Sequence, residues 1–137
     1  MPQPDGPDAP ARTEPRARVL CVDDNPQVLR LLQRQLGIRY ELHTAATALD
    51  ALKLMAEAGP FDVVVSDLRM PDMNGLAFLK RARELAPDTQ RIILTGLPDP
   101  GTLSATRAAG GGEQLIVKPW TREDLVAAVD AAIARRG

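Results

Sequence analysis

Short apolar runs alternate with amphipathic segments five times from Arg18 onward. The compact apolar runs are typical of strands that are buried on both faces of a sheet, and the segments between them carry apolar residues at helical spacing. Strict alternation of strands and helices predicts a doubly wound α/β fold with a parallel sheet covered on both faces. The predicted strands are Arg18–Val22, Tyr40–His43, Phe61–Ser66, Arg91–Thr95 and Leu115–Val117, and the predicted helices are Pro26–Leu36, Ala48–Ala58, Leu76–Ala86, Gly101–Ala109 and Arg122–Arg135.

Local signals at the helix ends support this division. Asn25 directly before Pro26 is a typical helix cap followed by a residue suited to the first turn. Thr47 followed three residues later by Asp50 resembles a capping box. The predicted helix Gly101–Ala109 is the weakest, because it holds several poor helix formers and is followed by three glycines. We therefore expect that segment to be the most mobile part of the folded domain.

The amino-terminal stretch differs from the rest of the chain. Residues 1–16 contain five prolines among Asp, Ala and Gly and little apolar surface, which predicts a disordered leader. The remaining residues, 17–137, are enough for one globular domain with a sizeable core, since the chain is 45% hydrophobic and 26% charged.

Charge and cysteine content limit the possible partners and compartment. A net charge of −1 provides no basic field, so neither a nucleic acid nor an anionic membrane surface is expected as a partner. The single cysteine, Cys21, lies in a predicted strand, excludes an intrachain disulfide and fits a reducing compartment. The sequence contains neither a membrane-length apolar run nor a signal peptide, and we expect a cytoplasmic protein.

Polar side chains stand at the carboxyl ends of four predicted strands, which meet at one edge of a parallel sheet. Carboxylates that converge there would repel one another and take up protons unless a cation joined them, and oxygen ligands suit Mg²⁺. A nearby lysine and hydroxyl would complete a cradle for a phosphoryl group, with Asp67 as the carboxylate nucleophile. The side chains are Asp23, Asp24, Asp67, Thr95 and Lys118.

The same residues form a pattern that resembles the receiver domains of two-component response regulators. The resemblance covers about Arg18 to Arg135 and implies a chemotaxis-regulator-like, flavodoxin-like (β/α)5 fold with strand order 2-1-3-4-5. The motifs that carry it are Val22-Asp23-Asp24, Asp67-Leu68-Arg69-Met70-Pro71-Asp72-Met73-Asn74-Gly75, Thr95-Gly96 and Lys118-Pro119-Trp120.

The resemblance implies a role for each matching residue. Asp67 would accept a phosphoryl group from a phosphohistidine of a sensor histidine kinase or a phosphotransfer protein, in a Mg²⁺-dependent reaction. Asp24 would bind Mg²⁺ directly and Asp23 mainly through water, while Asp67 and the backbone carbonyl of Arg69 would complete the protein ligands. Thr95 would supply the switch hydroxyl, and Lys118 would contact the phosphoryl group.

One position departs from the family pattern. Three residues before Lys118 the family commonly carries Tyr or Phe, which moves inward on activation, and here the residue is Leu115. Leucine has neither a polar tip nor a flat ring, so the usual relay from Thr95 is in doubt. We expect signalling instead through the fourth predicted helix, within an output face formed by the fourth helix, fifth strand and fifth helix. The expected partners are a downstream protein and a possible second copy of the chain.

Three other readings remain open. An aspartyl-phosphate phosphatase would place a second Asp two residues after the nucleophile, where this chain has Arg69. A flavin-binding electron carrier would need a phosphate-cradling loop after strand one and more aromatic residues than 3%. A receiver-like scaffold that never takes phosphate would have no use for the intact set of acids, Thr and Lys. We therefore expect a signalling switch rather than a turnover enzyme, either as a stand-alone receiver or as a fragment of a larger multidomain response regulator.

Two residue types that occur once carry weaker expectations. His43, the only histidine, is expected to be structural or merely exposed. Trp120, the only tryptophan, is expected to pack over the sheet edge, with a partner-contacting role as the alternative.

Overall fold

Five parallel strands form one sheet in the order 2-1-3-4-5, as the family resemblance implies. The computed structural model describes residues 16–67, 72–73, 75–96 and 114–136. The helix labels count only the described helices, so that α4 is the fifth predicted helix. The strands are β1 Arg18–Val22, β2 Glu41–Ala45, β3 Val63–Asp67, β4 Gln90–Thr95 and β5 Gln114–Val117, and the helices are α1 Pro26–Leu36, α2 Ala48–Ala58, α3 Gly75–Leu85 and α4 Arg122–Arg136.

Successive residues of the central strands face two different apolar layers. In β1, Val19 and Cys21 pack with residues of α1 and α4, whereas Leu20 and Val22 pack with residues of α2 and α3. All four side chains are at most 1% exposed. The period of two along a strand thus puts one core on each face of the sheet, and the sheet lies between two helical layers.

β1 lies between β2 and β3 in the sheet. The chain passes from β1 to β2 on one side and then crosses to β3 on the other, and both neighbours pair with β1 in parallel register. A crevice forms at such a reversal of strand order, outside the carboxyl ends of the strands. The fold therefore positions the residues that follow β1 and β3 side by side.

The carboxyl ends of two strands differ from the sequence prediction, and β2, β3, β4 and β5 also begin one or two residues away from their predicted starts. β2 continues past His43 to Ala45, because Ala45 is in register with Val22 of β1. β3 includes Asp67, which pairs with Leu94 of β4 instead of lying just past the strand. Pairing with a neighbouring strand set both ends, and local sequence does not encode that register.

The predicted helix caps are present. The Asn25 side chain accepts a hydrogen bond from the Gln27 N–H at 2.9 Å, and the Thr47 hydroxyl oxygen accepts one from the Asp50 N–H at 3.1 Å. Among the described helices, none has the length and apolar character that crossing a membrane requires. The predicted leader, apart from Arg16, and the predicted helix Gly101–Ala109 lie outside the described residues.

Candidate metal and phosphoryl site

Three carboxylates converge at the carboxyl edge of the sheet. Asp23 and Asp24 directly follow β1, Asp67 ends the adjacent β3, and one oxygen from each lies within 4.8 Å of the others. Asp23 is buried at 1% exposure, Asp24 is exposed and Asp67 is half-buried. The convergence predicted from the sequence is therefore present, and the cluster is exposed to solvent at Asp24.

One carboxylate oxygen of Asp23, Oδ2, is buried among the described residues without a hydrogen-bond donor. The other oxygen, Oδ1, accepts a hydrogen bond from the Asn25 N–H at 2.9 Å. Burial raises the pKa of Asp23; the Asn25 N–H partly offsets this, and the nearby negative charge of Asp67 raises the pKa further.

An unpartnered buried carboxylate oxygen is costly, and a cation bound by the three acids would remove that cost. The donor set consists of carboxylate oxygens and is partly open to water, which suits Mg²⁺. The residues that are present therefore fit a divalent metal of this kind.

A positive charge stands beside the third carboxylate. Lys118 follows β5, and its Nζ lies 3.2 Å from Oδ2 of Asp67, with the two side chains 31% and 15% exposed. The Lys118 N–H also donates to the Thr95 carbonyl at 2.8 Å, so the backbone of the lysine is fixed to the end of β4. The ammonium group is thus available where negative charge would gather on Asp67.

Thr95 and Gly96 lie at the same edge of the sheet, at the end of β4. Thr95 is the last residue of β4 and is 7% exposed, and the residue before it, Leu94, pairs with Asp67. Among the described residues, none lies within 4 Å of a Cβ added to the exposed Gly96. Arg69, whose carbonyl was expected to bind the metal, lies outside the described residues.

Sequence reasoning recognised Asn25 as a helix cap but missed its second role. Its backbone N–H orients Asp23, while its side chain caps α1. An Asp followed two residues later by the N–H that it binds is an Asx turn, so the Asp-Asp-Asn-Pro sequence held a local signal for this contact.

His43, Trp120 and Leu115 all contact neighbouring side chains of the folded domain. His43 Nε2 lies 2.8 Å from Oε2 of Glu41, and the ring packs edge-on to Phe61 at 5.3 Å between centroids, so His43 is structural. Trp120 packs against the core layer of α1 and α4, and its Nε1–H donates to Oε1 of Gln35 at 2.8 Å. Leu115 is half-buried against the opposite layer.

Comparison with known proteins agrees with this fold. The profile of the response regulator receiver domain matches residues 19–130, and the chain belongs to that family. The hydrogenase transcriptional regulatory protein HoxA of Cupriavidus necator is 33% identical over 125 residues, which are 91% of this chain and 26% of HoxA. The transcriptional regulatory protein KdpE of Mycobacterium tuberculosis is 34% identical over 118 residues, which are 85% of this chain and 51% of KdpE.

Solved structures share the fold over nearly their whole length. The signal receiver domain of an HD domain-containing protein from Pseudomonas fluorescens Pf-5 is 33% identical with a TM-score of 0.84, over 92% of this chain and 93% of that one. A CheY-like receiver domain protein from Methanospirillum hungatei is 28% identical with a TM-score of 0.82, over 88% and 96%. By contrast, the chain spans only 26% of HoxA and 51% of KdpE, which are both larger than a receiver domain.

Proposed function

We propose that this receiver domain is a phosphorylation-driven signalling switch, which accepts a phosphoryl group on Asp67. The observation that carries the proposal is the ion pair of 3.2 Å between Lys118 Nζ and an oxygen of Asp67, within a cluster that also contains Asp23 and Asp24. A nucleophilic carboxylate needs both a nearby cation to accept charge and neighbouring ligands that neutralise the incoming group. This cluster offers both.

The metal ligands in the proposal are Asp23, Asp24, Asp67 and the carbonyl of Arg69. Asp24 is exposed and would bind the metal directly, while the buried Asp23 would act mainly through a bound water. When bound, Mg²⁺ neutralises carboxylate charge and orients the phosphoryl oxygens. The unpartnered Oδ2 of Asp23 supports this assignment.

In the proposed reaction an Asp67 oxygen attacks the phosphorus atom of a phosphohistidine. A P–O bond forms while the P–N bond breaks, and the electron pair of that bond returns to the imidazole nitrogen. Lys118, which pairs with Asp67 beforehand, then contacts an oxygen of the transferred group, and the Thr95 hydroxyl donates to another. The product is an acyl phosphate that alters the protein's own surface, so we infer a switch rather than a turnover enzyme.

The proposed partners are a sensor histidine kinase or a phosphotransfer protein as donor, and a downstream protein as target. Leu115 stands where the family commonly has Tyr or Phe, so the output would not use the movement of an aromatic ring. We also propose a cytoplasmic location, which is supported by the single buried thiol of Cys21.

The direct test is incubation with acetyl phosphate and Mg²⁺ followed by intact mass measurement. We expect one added phosphoryl group, which is lost when EDTA removes the metal and in the Asp67→Asn variant. Asp88→Asn, which changes an exposed acid outside the cluster, is the matched control and should keep the adduct. An adduct that persists in Asp67→Asn, or a wild-type protein that takes up none, would overturn the proposal.

A further inference from the structure

The carboxylate of Asp72 holds the amino end of α2. Its Oδ1 accepts a hydrogen bond from the Ala48 N–H at 3.1 Å, and its Oδ2 accepts one from the Leu49 N–H at 3.0 Å. These are the first two helical residues, whose N–H groups have no partner inside the helix. One side chain from a loop distant in sequence therefore binds two of the free donors of α2.

The helix does not need Asp72 in order to have a cap. Thr47 already occupies the N-cap position and accepts from the Asp50 N–H at 3.1 Å. The two Asp72 contacts instead join residues that are 23 and 24 positions apart. The hydrogen bond from Leu49, opposed by desolvation and supported by the bond from Ala48, lowers the pKa of Asp72, so the acid is ionised at neutral pH.

The next residue fixes the same segment from the apolar side. Met73 is half-buried and packs against the core layer that contains Ala48, Met55 and Phe78. Residues 72 and 73 are thus attached to α2 and α3 by a charged group and an apolar side chain. Movement of this segment would disturb the first turn of α2.

The segment is also joined covalently to the phosphoryl acceptor. Asp67 ends β3 and is held in the sheet by its pairing with Leu94. Only four residues, 68–71, separate Asp67 from Asp72, and Arg69 is one of them. Two described residues that are five positions apart in the sequence are therefore each held by a different element, Asp67 by β4 and Asp72 by α2.

We propose that Asp72 is a positioning residue for phosphoryl acceptance, because its two bonds to α2 fix the chain at a point only five residues after Asp67. The inference rests on the proposed function and deepens it. Coupling of this kind is reciprocal, so phosphorylation of Asp67 also changes the strength of the bonds from Asp72 to Ala48 and Leu49. The amino end of α2 then responds to the phosphorylation state of Asp67.

The test compares Asp72→Ala with Thr47→Ala, which removes the other acceptor at the same end of α2. Both variants should lose similar stability in urea unfolding. Only Asp72→Ala should weaken Mg²⁺ binding to the unphosphorylated protein, measured by calorimetric titration, and slow phosphorylation by acetyl phosphate, each by roughly tenfold. Asp72→Asn keeps one acceptor oxygen, and we expect it to lie between Asp72→Ala and wild type.

Equal losses of Mg²⁺ affinity in Thr47→Ala and Asp72→Ala would overturn the proposal, because Asp72 would then act only through helix stability. Unchanged Mg²⁺ affinity in Asp72→Ala would also overturn it. If Asp72→Ala does not fold, the same comparison is made with Asp72→Asn. If wild type takes up no phosphoryl group, the proposed function fails, yet the Mg²⁺ titration still decides the role of Asp72.

Amide exchange supplies a readout that a simple cap would not change. Protection of the Ala48 and Leu49 amides should differ between protein incubated with and without acetyl phosphate, and this difference should vanish in Asp67→Asn. Equal protection in both states of the wild-type protein would contradict the coupling.

Discussion

Tyr40 joins the core to a charged pair on the surface. Its ring is 3% exposed, and its hydroxyl donates to Oδ1 of Asp130 in α4 at 2.6 Å. The Arg39 guanidinium donates to the other oxygen of Asp130 at 2.7 Å. Burial, followed by the hydrogen bond to Asp130, raises the pKa of Tyr40 to about 12. Although burial raises the pKa of Asp130, bonds from Arg39 and Tyr40 lower it overall.

Stability should therefore fall at high pH through Tyr40. The pKa of this phenol is about 12 in the folded protein against 10.0 ordinarily, so its stabilising contribution is complete below pH 10 and is lost as pH rises toward 12. Other groups titrate in the same window, so Tyr40→Phe is the reference. We expect the free energy of unfolding in urea to decrease less steeply above about pH 10 in Tyr40→Phe than in wild type. Parallel curves would contradict this assignment.

At the scale of the element, α3 contributes to the core through one stripe and leaves the other side in water. Phe78, Leu79 and Ala82 are at most 1% exposed and pack against the layer of the sheet that α2 also covers. Leu85, at the end of the same helix, is 47% exposed. Apolar area removed from water, and not helix propensity, should therefore decide what each residue contributes.

Truncation of Phe78 should be far more costly than truncation of Leu85. Phe78→Ala is expected to lower the free energy of unfolding by about 3–5 kcal/mol, because it removes a fully buried ring and leaves a cavity. Leu85→Ala should change it by less than about 0.5 kcal/mol. Urea unfolding followed by far-ultraviolet circular dichroism measures both. Similar losses in the two variants would mean that the buried stripe of α3 is wrongly identified.

At the scale of the whole molecule, the cluster of three acids destabilises the folded state. The carboxylates of Asp23, Asp24 and Asp67 lie within 4.8 Å of one another because β1 and β3 pair side by side. That pairing is stabilised by the apolar cores on the two faces of the sheet and not by the acids. Like charges at this range destabilise the compact state, and the raised pKa of Asp23 reflects its burial first and the repulsion from Asp67 second. A divalent cation would relieve it.

Mg²⁺ should consequently raise the melting temperature. A ligand that binds only the folded state stabilises it by about 2.7 kcal/mol at a concentration one hundred times its Kd. Calorimetry in MgCl₂, against NaCl of equal ionic strength, should show the increase in wild type and little of it in Asp24→Asn. In EDTA we expect Asp24→Asn to be at least as stable as wild type, since one of the repelling charges is gone. An equal Mg²⁺ effect in both proteins would remove Asp24 from the metal site.

The elements whose first and last residues could be predicted were those with their end signals in the neighbouring sequence. Helices α1 and α2 begin where Asn25 and Thr47 cap them, and both observed spans match the prediction. The ends of β2 and β3 were wrong by one or two residues, because Ala45 and Asp67 are strand residues only through partners on other strands. Burial of Cys21 was also predictable, since a small apolar residue in a central strand has no other place.

Much of the candidate site followed from topology alone. Carboxyl ends of parallel strands must meet, so the convergence of Asp23, Asp24 and Asp67 could be expected before any coordinates. The anchoring of α2 by Asp72 could not, because nothing near the acid in sequence marks its partners. The contact between Tyr40 and Asp130, 90 residues apart, was missed for the same reason.

The division into two core layers also determines which part of the protein its fluorescence and circular dichroism report on. The single Trp and the single Tyr of the chain both belong to the layer of α1 and α4, while Phe61 and Phe78 belong to the other. The tryptophan and tyrosine bands of emission spectra and of near-ultraviolet dichroism therefore observe one half of the molecule. A partly opened form that loosened α2 and α3 would look native to both techniques, whereas a tryptophan introduced at an exposed position of α2 would make that half visible.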